Sequence, residues 1–242
     1  VTTAQPPVHL CLLGAFQLRV AGRSTALPVQ AQRLLALLAT AHPRQPRTSL
    51  ARALWRDAPE ERAQANLRNA AWRVRLAGAD VLRCSRGEIG LDPGLRVDLA
   101  DAQRCAVFLL GGGSAPLDRS SIDVLDDDLL PDWDEEWLVV ERERQRQLRL
   151  HALEALSARF TRAGRHAEAV AAGLAAVQAE PLRESAQRAL VLAHLGEGNV
   201  SEAVRQVAGY RRILARELGI PPGEELLHLL RGAAQGAGQG RT

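Results

Sequence analysis

The chain has 242 residues, 46% of them hydrophobic and 24% charged; at about 100–200 residues per domain this is two ordinary domains, and the balance excludes disordered, collagen-like and low-complexity classes. The net charge of +3 is unevenly spread, with 15 Arg against 8 acids in residues 1–110 and 16 Arg against 20 acids in residues 111–242, so the first half suits a polyanion. The longest uninterrupted apolar run, CAVFLL (105–110), is far below the roughly 20 residues that cross a bilayer; with no signal peptide in VTTAQPP, a cytoplasmic location without a membrane partner is expected.

VHLCLLGAFQLRVAG (8–22) alternates loosely around Gly14 and Gly22, and STALPV (24–29) follows, which predicts two or three short strands. The period then changes. QAQRLLALLATA (30–41) places Ala31, Leu34, Leu38 and Ala41 at spacings of three and four, an amphipathic helix stopped before Pro43. PRQPRTSLARALW (43–55) reads as a proline-rich link and a short helix capped by Thr48 or Ser49, with Leu50, Leu54 and Trp55 as its inner residues.

DAPEERAQANLRNAAWRVRLAG (57–78) is a longer helix with Pro59 in its first turn, Glu60 and Glu61 where the dipole favours acids, and Gly78 at its end. Ala63, Leu67, Ala70, Ala71, Val74 and Gly78 share one small-apolar face; Ala65, Asn69, Trp72 and Leu76 lie opposite, flanked by Arg62, Arg68, Arg73 and Arg75. VLRCSRGEIGLD (81–92) predicts a hairpin turning at Ser85-Arg86-Gly87-Glu88, with Arg83 and Arg86 near its tip. Two helices, the second basic outside, then an Arg-tipped hairpin is the order of a winged helix-turn-helix, whose second helix enters the major groove. A solvated arginine face reads equally well from these residues, because all 31 basic residues are Arg. Trp72 reads equally as core or interface.

GGGSAPLDRSS (111–121) marks a domain junction or exposed loop. Asp118–Glu143 holds 11 acids and two Arg; it reads as a solvated loop and helix start, with docking against the basic half as the alternative, and its DDD lacks the features of a calcium loop. From Trp137 the chain is helical. At a shift of 34 residues, Leu156, Gly164, Glu168, Ala169 and Val170 fall on Leu190, Gly198, Glu202, Ala203 and Val204. That is the tetratricopeptide period, and Phe160, Ala169, Ala176 and Pro181 match that repeat's spacings, although the second copy is degenerate.

Chemistry has no anchor in this chain. There is no GxxxxGK[ST] phosphate loop, HExxH or GxSxG. Cys11, Cys84 and Cys105 are too widely spaced for a zinc ribbon and read as reduced structural thiols. Asp132, Asp134, Glu135 and Glu136 are acids at a helix start before they are a carboxylate pair. The chain is expected to be no enzyme and to need no cofactor or metal.

Taken together, LGAFQLRVAGR, LPVQAQRLLALLA, SLARALW, NLRNAAWRVR, ADVLRC with GEIGLD and VDLAD, LLPDWDEEWLVVERERQRQLRLHALEAL and RILARELGIPPGEELLHLL resemble the Streptomyces antibiotic regulatory protein family from about Val8 to Leu230. The resemblance implies an α+β OmpR-type winged helix-turn-helix over 1–110 and an all-α bacterial transcriptional activation domain with tetratricopeptide-like repeats over 111–242. It further implies a nucleoid-associated activator of a secondary-metabolite cluster, which binds direct repeats of promoter double-stranded DNA near the −35 region as a dimer and contacts RNA polymerase at sigma region 4. On this chain the recognition helix is about 60–77. Arg68, Asn69, Trp72, Arg73 and Arg75, with Arg62 beside them, face DNA; Arg83, Ser85 and Arg86 form the wing. Trp72 departs from the polar or basic residue common at its position in that family, which leaves sugar, a thymine methyl or a partner protein as its contact. A ligand-controlled winged-helix repressor and a repeat scaffold that does not bind DNA are the alternatives. Neither a receiver domain nor a nucleotide-binding module is seen, so phosphorylation or ATP control within the chain is not expected.

Overall fold

The computed structural model describes residues 7–41, 44–78, 80–111 and 118–239. Residues 112–117 of the Gly/Ser/Pro stretch and the Pro43 stop signal lie outside them. The chain packs as two compact units, the first comprising residues up to Arg104 together with Asp127–Arg146, the second Cys105–Asp126 together with residues from Gln147 onward. The division is therefore discontinuous, unlike the expected single cut between 110 and 111.

In the first unit, β1 (Val8–Cys11), β2 (Gln17–Val20) and β3 (Arg23–Thr25) form an antiparallel meander, as the alternation predicts. A further strand, β7 (Arg96–Val97), adds to β1 in parallel and gives the order β3-β2-β1-β7. Inward Leu10 and Leu18 are fully buried, and their outward neighbours are polar. The helices α1 (Val29–Thr40), α2 (Arg47–Leu54) and α3 (Glu60–Leu76) follow in the predicted order. Leu34, Leu35, Leu38, Leu50, Leu54 and Leu67 supply their shared core.

Two expectations are corrected. The proline-rich link holds a strand, β4 (Arg44–Pro46), paired with β6 (Glu88–Leu91), which also pairs with β5 (Leu82–Cys84). Pro46 tolerates this place because it lies on the sheet's edge. Neither Thr48 nor Ser49 caps α2: Pro46 sits at the N-cap, and no side chain caps the helix. Its fixed φ starts the helix from the end of β4.

The acidic stretch does not behave as one solvated loop. Gly14 N–H donates to Asp128 O at 2.7 Å and Leu130 N–H to Leu12 O at 2.9 Å, while Leu129, Leu130 and Leu138 enter the first core. Trp133 stacks on Phe16 with centroids 5.8 Å apart. These contacts bring Glu135 down to Arg33, whose Nη2 donates at 2.8 Å, and to Trp137 Nε1 at 2.9 Å; Arg56 pairs with Glu136. Docking on the basic half is thus the better description at Glu135, whereas Asp118, Asp123, Asp126, Asp127, Asp128, Asp132 and Asp134 are exposed. A helix absent from the expectations, α4 (Asp98–Leu110), follows β7. Its Asp98 carboxylate accepts the N–H groups of Leu12, Leu13 and Leu99 at 2.7–3.1 Å, yet burial outweighs them and pushes its pKa up.

In the second unit, α5 (Ser120–Val124) precedes a run of four helices and the end of a fifth, α6 (Glu136–Arg162), whose first residues belong to the first unit. The four are α7 (His166–Ala179), α8 (Glu184–Gly196), α9 (Val200–Glu217) and α10 (Glu224–Gln239). The ends of α6 and α8, at Arg162 and Gly196, are 34 positions apart, as are the starts of α7 and α9, at His166 and Val200. The intervening turns both use a left-handed glycine, Gly164 (φ 72°) and Gly198 (φ 81°), where a side chain would be strained. The period therefore organises backbone as well as sequence. Leu156 with Leu190, and Ala169 with Ala203, are fully buried at equivalent positions.

Candidate nucleic-acid interface

The candidate surface lies wholly in the first unit. Helix α3 starts after Pro59, carries Glu60 and Glu61 in its first turn and Arg73 and Arg75 in its last, so charge complements the dipole at both ends. It stops at Gly78, whose φ of 73° ends the helical path. Ala63, Leu67, Ala70, Ala71 and Val74 are buried, and the small alanines let α3 approach the core closely. This helix is held by one face only.

Arg62, Arg68, Asn69, Trp72, Arg73 and Arg75 are all exposed on the other face. Trp72 is 52% and Leu76 58% exposed, so Trp72 is not a core residue. The Arg73 guanidinium lies 5.1 Å from the Trp72 ring centroid, a cation–π distance that restrains both side chains. Arg73 and Asn69 also line an open groove with Asn66, Gln30 and Trp55, between α3 and the start of α1. Among the described residues, the side chains of Arg62, Arg68 and Arg75 make no ion pair or hydrogen bond. Three cations on one helix face are left without a protein counter-charge.

The β5–β6 hairpin places its residues differently. Ser85 N–H donates to Glu88 O at 2.9 Å and Glu88 N–H to Ser85 Oγ at 3.0 Å, so the Ser85 hydroxyl holds the turn itself. Arg83 is paired with Asp92 through Nε at 2.6 Å. The Asp92 carboxyl sits below the usual range, chiefly because Gly94 N–H donates to it, with Arg83 adding. Arg86, at the tip, is exposed and has no partner among the described residues. Sequence reasoning missed Arg47: its N–H donates to Gly87 O at 2.9 Å and its Nε to Ser85 O at 3.1 Å, tying the turn to the start of α2. The only local signal was its place beside Pro46, which reads as linker.

No group of three or more His, Cys, Asp or Glu able to hold a metal occurs among the described residues, and no helix there is long and apolar enough to cross a membrane. Cys11, Cys84 and Cys105 are free thiols.

Residues 119–232 match the bacterial transcriptional activator domain family. The chain is 33% identical over 220 residues to the regulatory protein AfsR of Streptomyces griseus, covering 85% of this chain and 22% of that protein. It is 34% identical over 214 residues to AfsR of Streptomyces coelicolor, covering 82% and 21%. The chain thus spans about a fifth of the length of these relatives. Mycobacterium tuberculosis EmbR, solved in complex with a low-affinity phosphopeptide, is similar in fold, with a TM-score of 0.69 at 21% identity over 96% of this chain and 66% of that one.

Proposed function

Because the chain belongs to the Streptomyces antibiotic regulatory protein family, we propose that it is a sequence-specific DNA-binding transcriptional activator of a secondary-metabolite cluster, acting in the cytoplasm at the nucleoid. In this reading the OmpR-type winged helix-turn-helix lies within residues 1–110, in the unit that Asp127–Arg146 completes, with α3 in the major groove and the β5–β6 hairpin as the wing. Residues 111–242 are the activation domain, built on tetratricopeptide-like helix pairs. The observation that carries the reading is the outward face of α3, where Arg62, Arg68 and Arg75 lack counter-charges beside Asn69 and Arg73. Arg pairs bidentately with guanine and Asn with adenine in the major groove. A surface of that composition is satisfied by DNA.

Two copies on a direct repeat near the −35 region face the same way, so their mutual contact is head-to-tail. Half-sites about one helical turn apart, roughly 10–11 base pairs, put both readers on one face of the DNA. The helical domain then adds contacts to RNA polymerase at sigma region 4, of which about 1.4 kcal/mol is already tenfold in the binding constant. Footprinting on promoter fragments, followed by transcription with purified polymerase, tests this. Five inserted base pairs between half-sites should abolish cooperative binding and activation, and a full inserted turn should restore part of both. Binding without activation would favour a ligand-controlled repressor, and no salt-dependent DNA binding would leave a scaffold.

A further inference from the structure

The outermost line of α3 is apolar where a purely electrostatic DNA contact needs it to be basic. Taking 100° per residue, Ala65, Trp72 and Leu76 lie closest to the direction opposite the buried residues, with Asn69 and, in the first turn, Glu61 beside them. The arginines stand to either side of this line. Arg68 and Arg75 are on one flank and Arg62 and Arg73 on the other. A helix inserted in the major groove turns its outermost line toward the groove floor, and side chains as long as arginine on its flanks reach either base edges or phosphates. The apolar group that B-DNA presents on that groove's floor is the thymine 5-methyl.

We infer that Trp72 is a specificity-determining residue that reads a thymine methyl in the half-site, resting on the DNA-binding reading above. The geometry at the residue fits that role. Its indole is 52% exposed, a large apolar area left in water. The Arg73 guanidinium sits 5.1 Å from the ring centroid, a cation–π contact that favours this ring orientation before DNA arrives. A restrained ring loses less entropy on binding. Leu76, one turn further on and 58% exposed, extends the apolar line toward the end of the helix.

The test separates a methyl contact from general affinity. The 242-residue chain first selects its preferred duplex from a random-sequence pool, and each thymine of that duplex is then replaced in turn by deoxyuridine, which removes only the 5-methyl. One thymine per half-site should lose about fourfold in affinity, the worth of one buried methyl at about 0.8 kcal/mol. Trp72→Ala should bind the selected duplex more weakly and be indifferent to the same replacement, a coupling that independent effects would not produce. Trp72→Phe should restore part of the sensitivity. The exposure of Trp72 makes these variants safe for folding, which thermal melting checks. Selected DNA that tolerates deoxyuridine everywhere, or an equal loss in wild type and Trp72→Ala, overturns the inference while DNA binding stands. A Trp72→Ala protein that binds like wild type yet fails to activate makes Trp72 a protein contact and overturns it too. If no duplex is selected, the DNA reading falls and this inference with it.

Discussion

The arginines on the outward face of α3 and most of those on the later helices have different surroundings, although Arg211 and Arg212 of α9 are, among the described residues, also without an ion pair. On α6, α7 and α9, Arg144, Arg146, Arg165 and Arg205 each meet a glutamate three positions away, at 2.5–2.9 Å. On α3 no such pairing exists for Arg62, Arg68 or Arg75, and the helix's own acids, Glu60 and Glu61, stand in its first turn, next to Arg62 in sequence but one and a half turns or more from Arg68 and Arg75. Arginine content alone therefore carries little information, because a biased composition puts Arg everywhere. The gathering of Arg62, Arg68 and Arg75 without counter-charges around Asn69 on one helix is the informative feature.

Engaged and unengaged arginines should respond oppositely to substitution, and the largest effect belongs to the most engaged. Arg142 donates from Nε to Leu129 O at 3.0 Å and from Nη2 to Leu130 O at 2.6 Å and Trp133 O at 2.9 Å. Leu130 is fully buried with φ of 42°, a left-handed conformation that costs a branched residue about 1–2 kcal/mol unless its surroundings hold it. Arg142→Ala should destabilise the chain by about 3 kcal/mol, since it strands carbonyls that a charged donor satisfied. Arg142→Lys should recover only part, because an ammonium cannot span the same fork. Urea denaturation measures both, and a loss below about 1 kcal/mol would make the fork dispensable.

On α3 the balance reverses. Arg68→Ala, Asn69→Ala and Arg73→Ala should leave stability within about 0.5 kcal/mol of wild type, as for other exposed positions. Each should weaken the true operator relative to random DNA by about 1–3 kcal/mol, roughly 5- to 150-fold. Equal losses on both DNAs would reduce these residues to backbone contacts.

The same contrast explains what was legible in the sequence. Helix α3 was readable because Pro59 and Gly78 bound it and its buried residues recur every three or four positions. Strand β4 was not, since its partner β6 lies more than 40 residues away and a three-residue strand that itself ends in Pro46 shows no period. Helix α4 carries Leu99, Ala102, Ala106 and Leu109 at helical spacing, all buried, but the unbroken run CAVFLL hides that period. At the candidate interface, side-chain type located the surface, whereas partnership needed three dimensions: nothing local pairs Arg83 with Asp92 across the hairpin or turns Glu135 to Arg33.

The wing sharpens the comparison within a single hairpin. Arg86 is unpartnered and Arg83 is held by Asp92, so on promoter DNA Arg86→Ala should lower the log–log salt slope by about 0.9, the worth of one phosphate. Arg83→Ala should lower it by less, and Asp92→Asn should release Arg83 and raise it. Equal slopes for all three would demote the hairpin to scaffolding.

The smallest effect is expected on the paired helices, and it is the control that the comparison requires. Arg205 is 74% and Glu202 38% exposed by side chain, and they meet at 2.5 Å on one face of α9. In high-dielectric surroundings an exposed pair of this spacing contributes about 0.3–0.5 kcal/mol, and salt screens it. Arg205→Ala should therefore lower stability by no more than that amount at low salt and by nothing measurable at 1 M salt, where the Debye length is about 3 Å. It should leave the salt slope of DNA binding unchanged, because a cation already facing its own carboxylate displaces few counterions from a phosphate. If Arg205→Ala lowered the slope as Arg68→Ala does, pairing would not be what distinguishes the two sets. The DNA footprint would then have to extend onto the helical unit.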